Sequence, residues 1–322
     1  MLYAAEGREA GIAGQILILG YTLPDQFPLL ARYSLTQTVV DASYARQLEG
    51  CGYPLSVHVA VDTGMHRLGE RSENRENIYS IWTKKNLKIT GLFSHLCAAD
   101  GVSGRERAYT ERQIAEFQSV VKDLYKRGLC GFKTHLQGSY GVLRYPELSF
   151  DYARVGLALY GVYESSQESR DGELLKPVLS LKTRIVCVKI LYPGETAGYG
   201  MAYRAVKKRK IAVAAIGYAD GIPRALSGRG HALVRGCRVP VIGRICMDQL
   251  LLDVSEIFSV SPGDEAVLIG RAGNEKILAS DVADQAGTIS NEILSRLGKR
   301  LERITAPVSA ENPSDTVPVS CR

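Results

Sequence analysis

The chain has 322 residues, 45% hydrophobic, 23% charged and 7% aromatic, with a formal net charge of +6. That balance belongs to a globular protein, and the length suits two domains or one large barrel, which excludes a disordered, collagen-like or fibrous chain. No apolar run approaches the roughly 18–20 residues of a membrane-spanning helix, and the first residues lack a secretory signal, so the expectation is a cytoplasmic chain with no membrane partner. The basic residues are scattered except for Lys207-Lys208-Arg209-Lys210. That run has no interleaved aromatics and reads as a solvated turn or strand end, which argues against a nucleic-acid partner. Seven cysteines, widely spaced and without a CxxC pair, point away from a zinc knuckle or a disulfide framework. They read instead as small buried apolar residues in a reducing compartment.

In chain order, a helix-like stretch at Ala4–Ala10 comes first. The strand candidates Ile16–Leu19, Thr36–Val40, Ser56–Val61, Ile89–Phe93, Lys133–Leu136 and Ala153–Tyr160 follow. Between Ile89–Phe93 and Lys133–Leu136 lies Glu111–Arg127, where Ile114, Phe117, Val120, Val121 and Leu124 recur at helical spacing. Strands alternating with helices imply a parallel sheet with crossover helices. The fold class is therefore α/β, an incomplete (β/α)8 TIM-type barrel of about six strands over residues 1–168. Composition turns polar near Ser165–Leu175, giving a linker. Beyond it, β-branched runs broken by turn signals predict a mainly antiparallel β domain over 169–306, with strands such as Leu179–Val188, Ile211–Ile216, Val239–Ile242 and Leu250–Val254. Two helices, Ala279–Ala286 and Asn291–Arg296, close it. Residues 307–322 are Pro/Ser-rich and read as a disordered tail.

Polar clusters gather where barrel strands end, the usual place for a barrel site. Asp62-Thr63-Gly64-Met65-His66-Arg67 follows an apolar strand, Ser94-His95 ends another, His135 and Ser139 close a third, and Arg154-Val155-Gly156 ends the series. In the β domain, Gly217-Tyr218-Ala219-Asp220-Gly221 and Gly243-Arg244-Ile245-Cys246-Met247-Asp248-Gln249 form compact turns. By themselves these residues support a barrel enzyme for a phosphate-bearing or acidic ligand. They leave the reaction open.

The order of four segments goes further. Val61–Gly69, Arg154–Gly161, Ile216–Gly221 and Gly243–Gln249, followed by Thr288–Arg296, resemble the alanine racemase family from residue 1 to about 305, and most closely its serine/alanine branch. The resemblance implies a pyridoxal 5'-phosphate isomerase that interconverts the L and D forms of alanine or serine, to supply D-amino acids for peptidoglycan. It also implies a homodimer with shared active sites and a small amino-acid substrate. Tyr218 matches a catalytic base donated across the dimer, and a tyrosine serves as a base only where its neighbours favour phenolate. His95 matches its hydrogen-bonding partner. Arg154 matches the arginine facing the cofactor's pyridine nitrogen, while Ser139 and the backbone N–H groups of Gly156 and Leu157 match its phosphate cradle. Arg67, Met247 and Asp248 match substrate-binding positions, and Arg244 and Asp100 resemble the access corridor.

Three departures stand out. Ala60 occupies a position where many members carry a modified lysine that braces the arginine. Lys299 stands where many have a phosphate-contacting tyrosine and could itself serve the phosphate. The family's Val-Lys-Ala-Asn-Ala-Tyr-Gly-His-Gly segment, whose lysine tethers the cofactor, has no counterpart, since Met1 aligns within the family's second helix. The expectation is an N-terminally truncated chain, inactive by itself. The alternative is a non-catalytic remnant or dimerisation partner that lends Tyr218 and Met247 to an intact subunit.

Overall fold

The computed structural model describes residues 2–164 and 174–305. The expected tail and all but the last two residues of the expected linker lie outside them. Two compact units divide the chain, one running to Gly156 and one beginning at Leu157.

The first unit carries six strands: β1 (Leu17–Ile18), β2 (Thr36–Val39), β3 (Leu55–Asp62), β4 (Glu70–Arg71), β5 (Leu87–Phe93) and β6 (Lys133–His135). They form one parallel sheet in the order β1-β2-β3-β5-β6, with β4 paired to β3. Helices α1 (Leu2–Glu9), α2 (Phe27–Arg32), α3 (Ala42–Gly50), α4 (Arg75–Ile81), α5 (Gly104–Lys126) and α6 (Ser139–Arg144) alternate with the strands. Period two along β3 sorts its side chains. Val57, Val59 and Val61 join Leu48, Ile78, Phe117 and Leu124 in the core between sheet and helices. His58, Ala60 and Asp62 therefore fall on the opposite face, and all three are buried.

The partial parallel barrel expected from the sequence is borne out, with two local corrections. Helix α5 begins about two turns earlier than the apolar spacing implied, because Ser103 and Glu106 form a capping box that starts it. Residues 153–160 are not a strand. Tyr152 bridges His135, and the Arg154 N–H donates to the Gln137 carbonyl, but the Gly156 N–H goes to Ser139 Oγ and Leu157–Tyr160 coil into a 3-10 turn. Apolar content alone does not tell a strand from such a turn.

In the second unit, β7 (Leu181–Leu191), β10 (Arg209–Ala214), β11 (His231–Val234), β12 (Cys237–Ile242), β13 (Leu250–Asp253), β14 (Glu265–Ala272) and β15 (Glu275–Ile277) form an antiparallel sheet. The order β11-β12-β13-β10-β7-β14, with β11 also paired to β14, closes six of these strands into a barrel. Closure removes the exposed edges that an open sheet would leave. A separate hairpin pairs β8 (Thr196–Ala197) with β9 (Tyr203–Arg204). Helices α7 (Ala279–Ala286) and α8 (Ser290–Arg296) pack Val282, Ala283 and Ile293 against the barrel core. The expected antiparallel domain and its two helices are as anticipated. Five described cysteines carry free thiols, yet Cys97 and Cys130 are exposed, so small buried apolar residues is too simple a description of them. No described helix is long and apolar enough to cross a membrane.

Candidate active site

The C-terminal ends of β5 and β6 converge on one guanidinium. Arg154 Nη1 lies 2.5 Å from His135 Nδ1. Its Nη2 donates to the carbonyls of Ser94 (2.7 Å) and Leu136 (3.1 Å) and lies 3.1 Å from His95 Nδ1. Phe93 stacks flat on His135, with centroids 4.8 Å apart, and Arg154 sits 5.1 Å over the Phe93 ring. A guanidinium only donates, so both Nδ1 atoms must be unprotonated and both rings carry their proton on Nε2. His135 Nε2 then donates to His58 Nδ1, 2.8 Å away.

Burial, followed by repulsion from Arg154, draws His58 and His95 down to about 4 and His135 to about 3. All three imidazoles are neutral at neutral pH. Burial and Arg67 draw Arg154 down to about 10, which leaves it charged. Every acceptor that holds Arg154 is therefore uncharged, and its positive charge has no carboxylate partner among the described residues.

A cavity of about 170 Å³ opens above this group, lined by Leu19, Ala60, Met65, Arg67, Phe93, His95 and Arg154 among others, and by no lysine among the described residues. Arg67 is presented to it by a tight turn. Asp62 Oδ1 accepts from the Gly64 and His66 N–H groups at 2.9 and 3.0 Å, and Oδ2 lies 2.9 Å from His66 Nδ1. His66 takes the left-handed conformation, φ 56°, to make the turn. Burial opposes ionisation of Asp62, but the bonds from His66 and Gly64 prevail and hold its carboxyl below the usual range. The Asp62 charge is thus spent inside the turn. Ala60 leaves Arg67 without a side-chain brace, and no hydrogen bond or ion pair of its guanidinium occurs among the described residues. Two cations thus face one cavity, an arrangement that suits a ligand bearing more than one anionic group. A larger cavity of about 290 Å³ in the second unit, lined by Gly161, Lys176, Arg271 and Lys276, lacks such buried acid–base groups.

In the second unit, Tyr218 and Met247 are brought together. The N–H groups of Tyr218 and Ala219 donate to the carbonyls of Cys246 and Met247, each at 3.0 Å. Only glycine fits at 217, where a Cβ would stand 2.3 Å from the Met247 carbonyl oxygen. Arg300 spans both loops, at 2.6 Å from Asp248 and 3.4 Å from Asp220, whose other oxygen accepts from the Gly217 N–H. Tyr218 and Met247 remain exposed, by 41% and 53%. Lys299, next to Arg300, is exposed as well.

The profile for the alanine racemase N-terminal domain matches residues 4–164, and that for the alanine racemase C-terminal domain matches residues 178–305. The chain belongs to the alanine racemase family. An amino-acid racemase of Enterococcus faecalis is 40% identical over 299 residues, 92% of this chain but 42% of that protein, so the chain spans less than half of that relative. An alanine racemase of Carboxydothermus hydrogenoformans is 40% identical over 301 residues, 92% of this chain and 81% of that one. The crystal structure of the Bartonella henselae alanine racemase with covalently bound pyridoxal phosphate matches with a TM-score of 0.83 at 25% identity, over 94% of this chain and 83% of that chain.

Arg67, His95 and Arg154 of the expected alanine racemase site thus share one cavity, and Ser139 meets Gly156 at 3.1 Å beside them. Tyr218, Met247 and Asp248 share one corner of the second unit. Leu157 opens that unit, and Asp100 and Arg244 are exposed. Sequence reasoning gave His58 and Arg300 no role. His58 had one visible signal, an imidazole at an inward position of an otherwise apolar strand. Arg300 had none, because its two partners are distant in sequence.

Proposed function

We propose that this chain is built for the racemisation of alanine, with serine as the second substrate, using pyridoxal 5'-phosphate in a cytoplasmic homodimer that supplies D-amino acids for peptidoglycan. The carrying observation is the Arg154 guanidinium, charged, aimed at a cavity and held by neutral acceptors alone. When bound, the cofactor draws electrons from the substrate's α-carbon and acidifies its proton. The donor set fits it. Arg154 supplies a permanently protonated donor for the pyridine nitrogen, which limits electron withdrawal there and favours return of the proton over side reactions. Ser139, Gly156, Leu157 and Lys299 would hold the phosphate. Arg67, with its guanidinium unpaired, and the Met247 N–H would hold the substrate carboxylate, with Asp248 beside it.

Proton movement falls to Tyr218, exposed and fixed at its backbone. His95 keeps its proton on Nε2 and can donate it to a tyrosine oxygen, which favours phenolate. Racemisation needs a second proton carrier on the opposite face, and no lysine lines the cavity among the described residues. We therefore expect the purified chain, given pyridoxal phosphate and L-alanine, to form no D-alanine in a chiral chromatographic assay. A second reading rests on the exposed Tyr218–Met247 corner: the chain lends these residues to an intact subunit. Mixing it with a homologous racemase whose equivalent tyrosine is phenylalanine should then restore turnover. Turnover by the chain alone would contradict the missing-carrier reading. Failure to bind the cofactor, together with failure of the rescue, would sink the whole assignment.

A further inference from the structure

We propose that His58 is a positioning residue. Through His135 it fixes the tautomer that lets Arg154 point its charged guanidinium into the cavity. His58 Nδ1 is the acceptor for His135 Nε2–H at 2.8 Å, and the opposite nitrogen of His135 meets Arg154. If His135 carried its proton on Nδ1, two donors would face each other at 2.5 Å, and Arg154 would lose its place. Both histidines are buried, at 4% and 2% exposure, so water does not readily replace the lost acceptor.

The sheet is built around this ring. Between β3 and β5 the register slips at one point, pairing Val57 with Ile89 and His58 with Gly91, so Thr90 is the extra residue. Such a bulge re-aims side chains. A Cβ at Gly91 would stand 2.5 Å from the His58 ring, so a side chain there is incompatible with the imidazole where it lies. Bulge, glycine and imidazole form one device, two hydrogen bonds removed from Arg154.

The inference rests on Arg154 facing the cofactor, but its first test does not. In nitrogen-15 spectra of the whole chain, His135 should carry its proton on Nε2 alone. His58→Asn keeps an acceptor near the Nδ1 position and should preserve that signature. His58→Leu removes the acceptor, and Gly91→Ala crowds the ring aside; each should bring up an Nδ1–H population of His135. Equilibrium dialysis against pyridoxal phosphate should then give affinity about tenfold weaker for the Leu variant and near wild type for Asn. His135 unchanged in both the Leu and Ala variants would overturn the proposal, as would equal cofactor affinity of the Leu and Asn variants. If the tautomer moves as described while wild type binds no pyridoxal phosphate, the His58 device stands and the cofactor assignment falls. Should the Leu variant fail to fold, the Asn and Ala pair decides by the same spectra.

Discussion

His58, His95 and His135 are held neutral far below the ordinary imidazole range, at about 4, 4 and 3. In the unfolded chain they would take up protons near pH 6.5. Between that pH and about 4 the unfolded state binds more protons than the folded one, so stability rises with pH across the window and levels off above it. The loss on acidification should be on the order of 2–3 kcal/mol for each of the two well-buried rings, His58 and His135. Urea midpoints measured from pH 7 down to 4 test this; a flat profile would contradict it. His58→Asn should flatten the slope by one histidine's share. Arg154→Lys tests the same group from the other side. An ammonium cannot span two imidazoles and two carbonyls in the plane of a fork, so at least one buried acceptor loses its partner. The expected cost is about 1–3 kcal/mol in thermal or chemical denaturation.

At the scale of elements, loops reach the site on supports that can be removed one at a time. Helix α5 bears Gln113, fully buried, whose amide donates to the His95 carbonyl and accepts from the Cys97 N–H, tying the loop after β5 to the helix. The helix starts at Ser103, whose hydroxyl accepts from the Glu106 N–H while Glu106 reaches back to the Ser103 N–H. Ser103→Ala should cost about 1 kcal/mol and speed amide exchange over the first turn of α5 only. Arg300 is the corresponding support in the second unit. Its side chain is half exposed, so Arg300→Met should leave global stability little changed. Exchange of the Tyr218 and Ala219 amides should nevertheless quicken, because the two loops lose their only shared ion-pair partner among the described residues. Unchanged exchange at both amides would show that backbone bonds alone hold Tyr218.

At the scale of the whole molecule, the proposed dimer needs exposed apolar side chains near Tyr218. Tyr199, Met201, Tyr218 and Met247 are all more than 40% exposed. Gly198 packs against Arg244, while the Tyr218 and Ala219 N–H groups donate to the Cys246 and Met247 carbonyls, so these residues share one end of the β barrel. We expect this patch to be an interaction site. Light scattering should report a dimer, and Met247→Glu should shift it toward monomer while leaving the circular dichroism spectrum unchanged. A monomer in the unaltered chain would remove the basis for a shared site.

The sequence alone determined the layout, because hydrophobic period and turn chemistry are local. Strand–helix alternation gave the parallel sheet, helical spacing gave the body of α5, and turn signals spaced the strands of the antiparallel domain. The segments carrying Arg67, Arg154, Tyr218 and Met247 were legible because each is continuous. Tertiary structure decided what joins residues far apart in the chain. Arg154 finds His135 and His95 across neighbouring strands, Arg300 finds Asp220 and Asp248 across two loops, and a one-residue slip opposite Gly91 aims His58. None of these has a local signature, since each depends on which strand lies beside which and in what register.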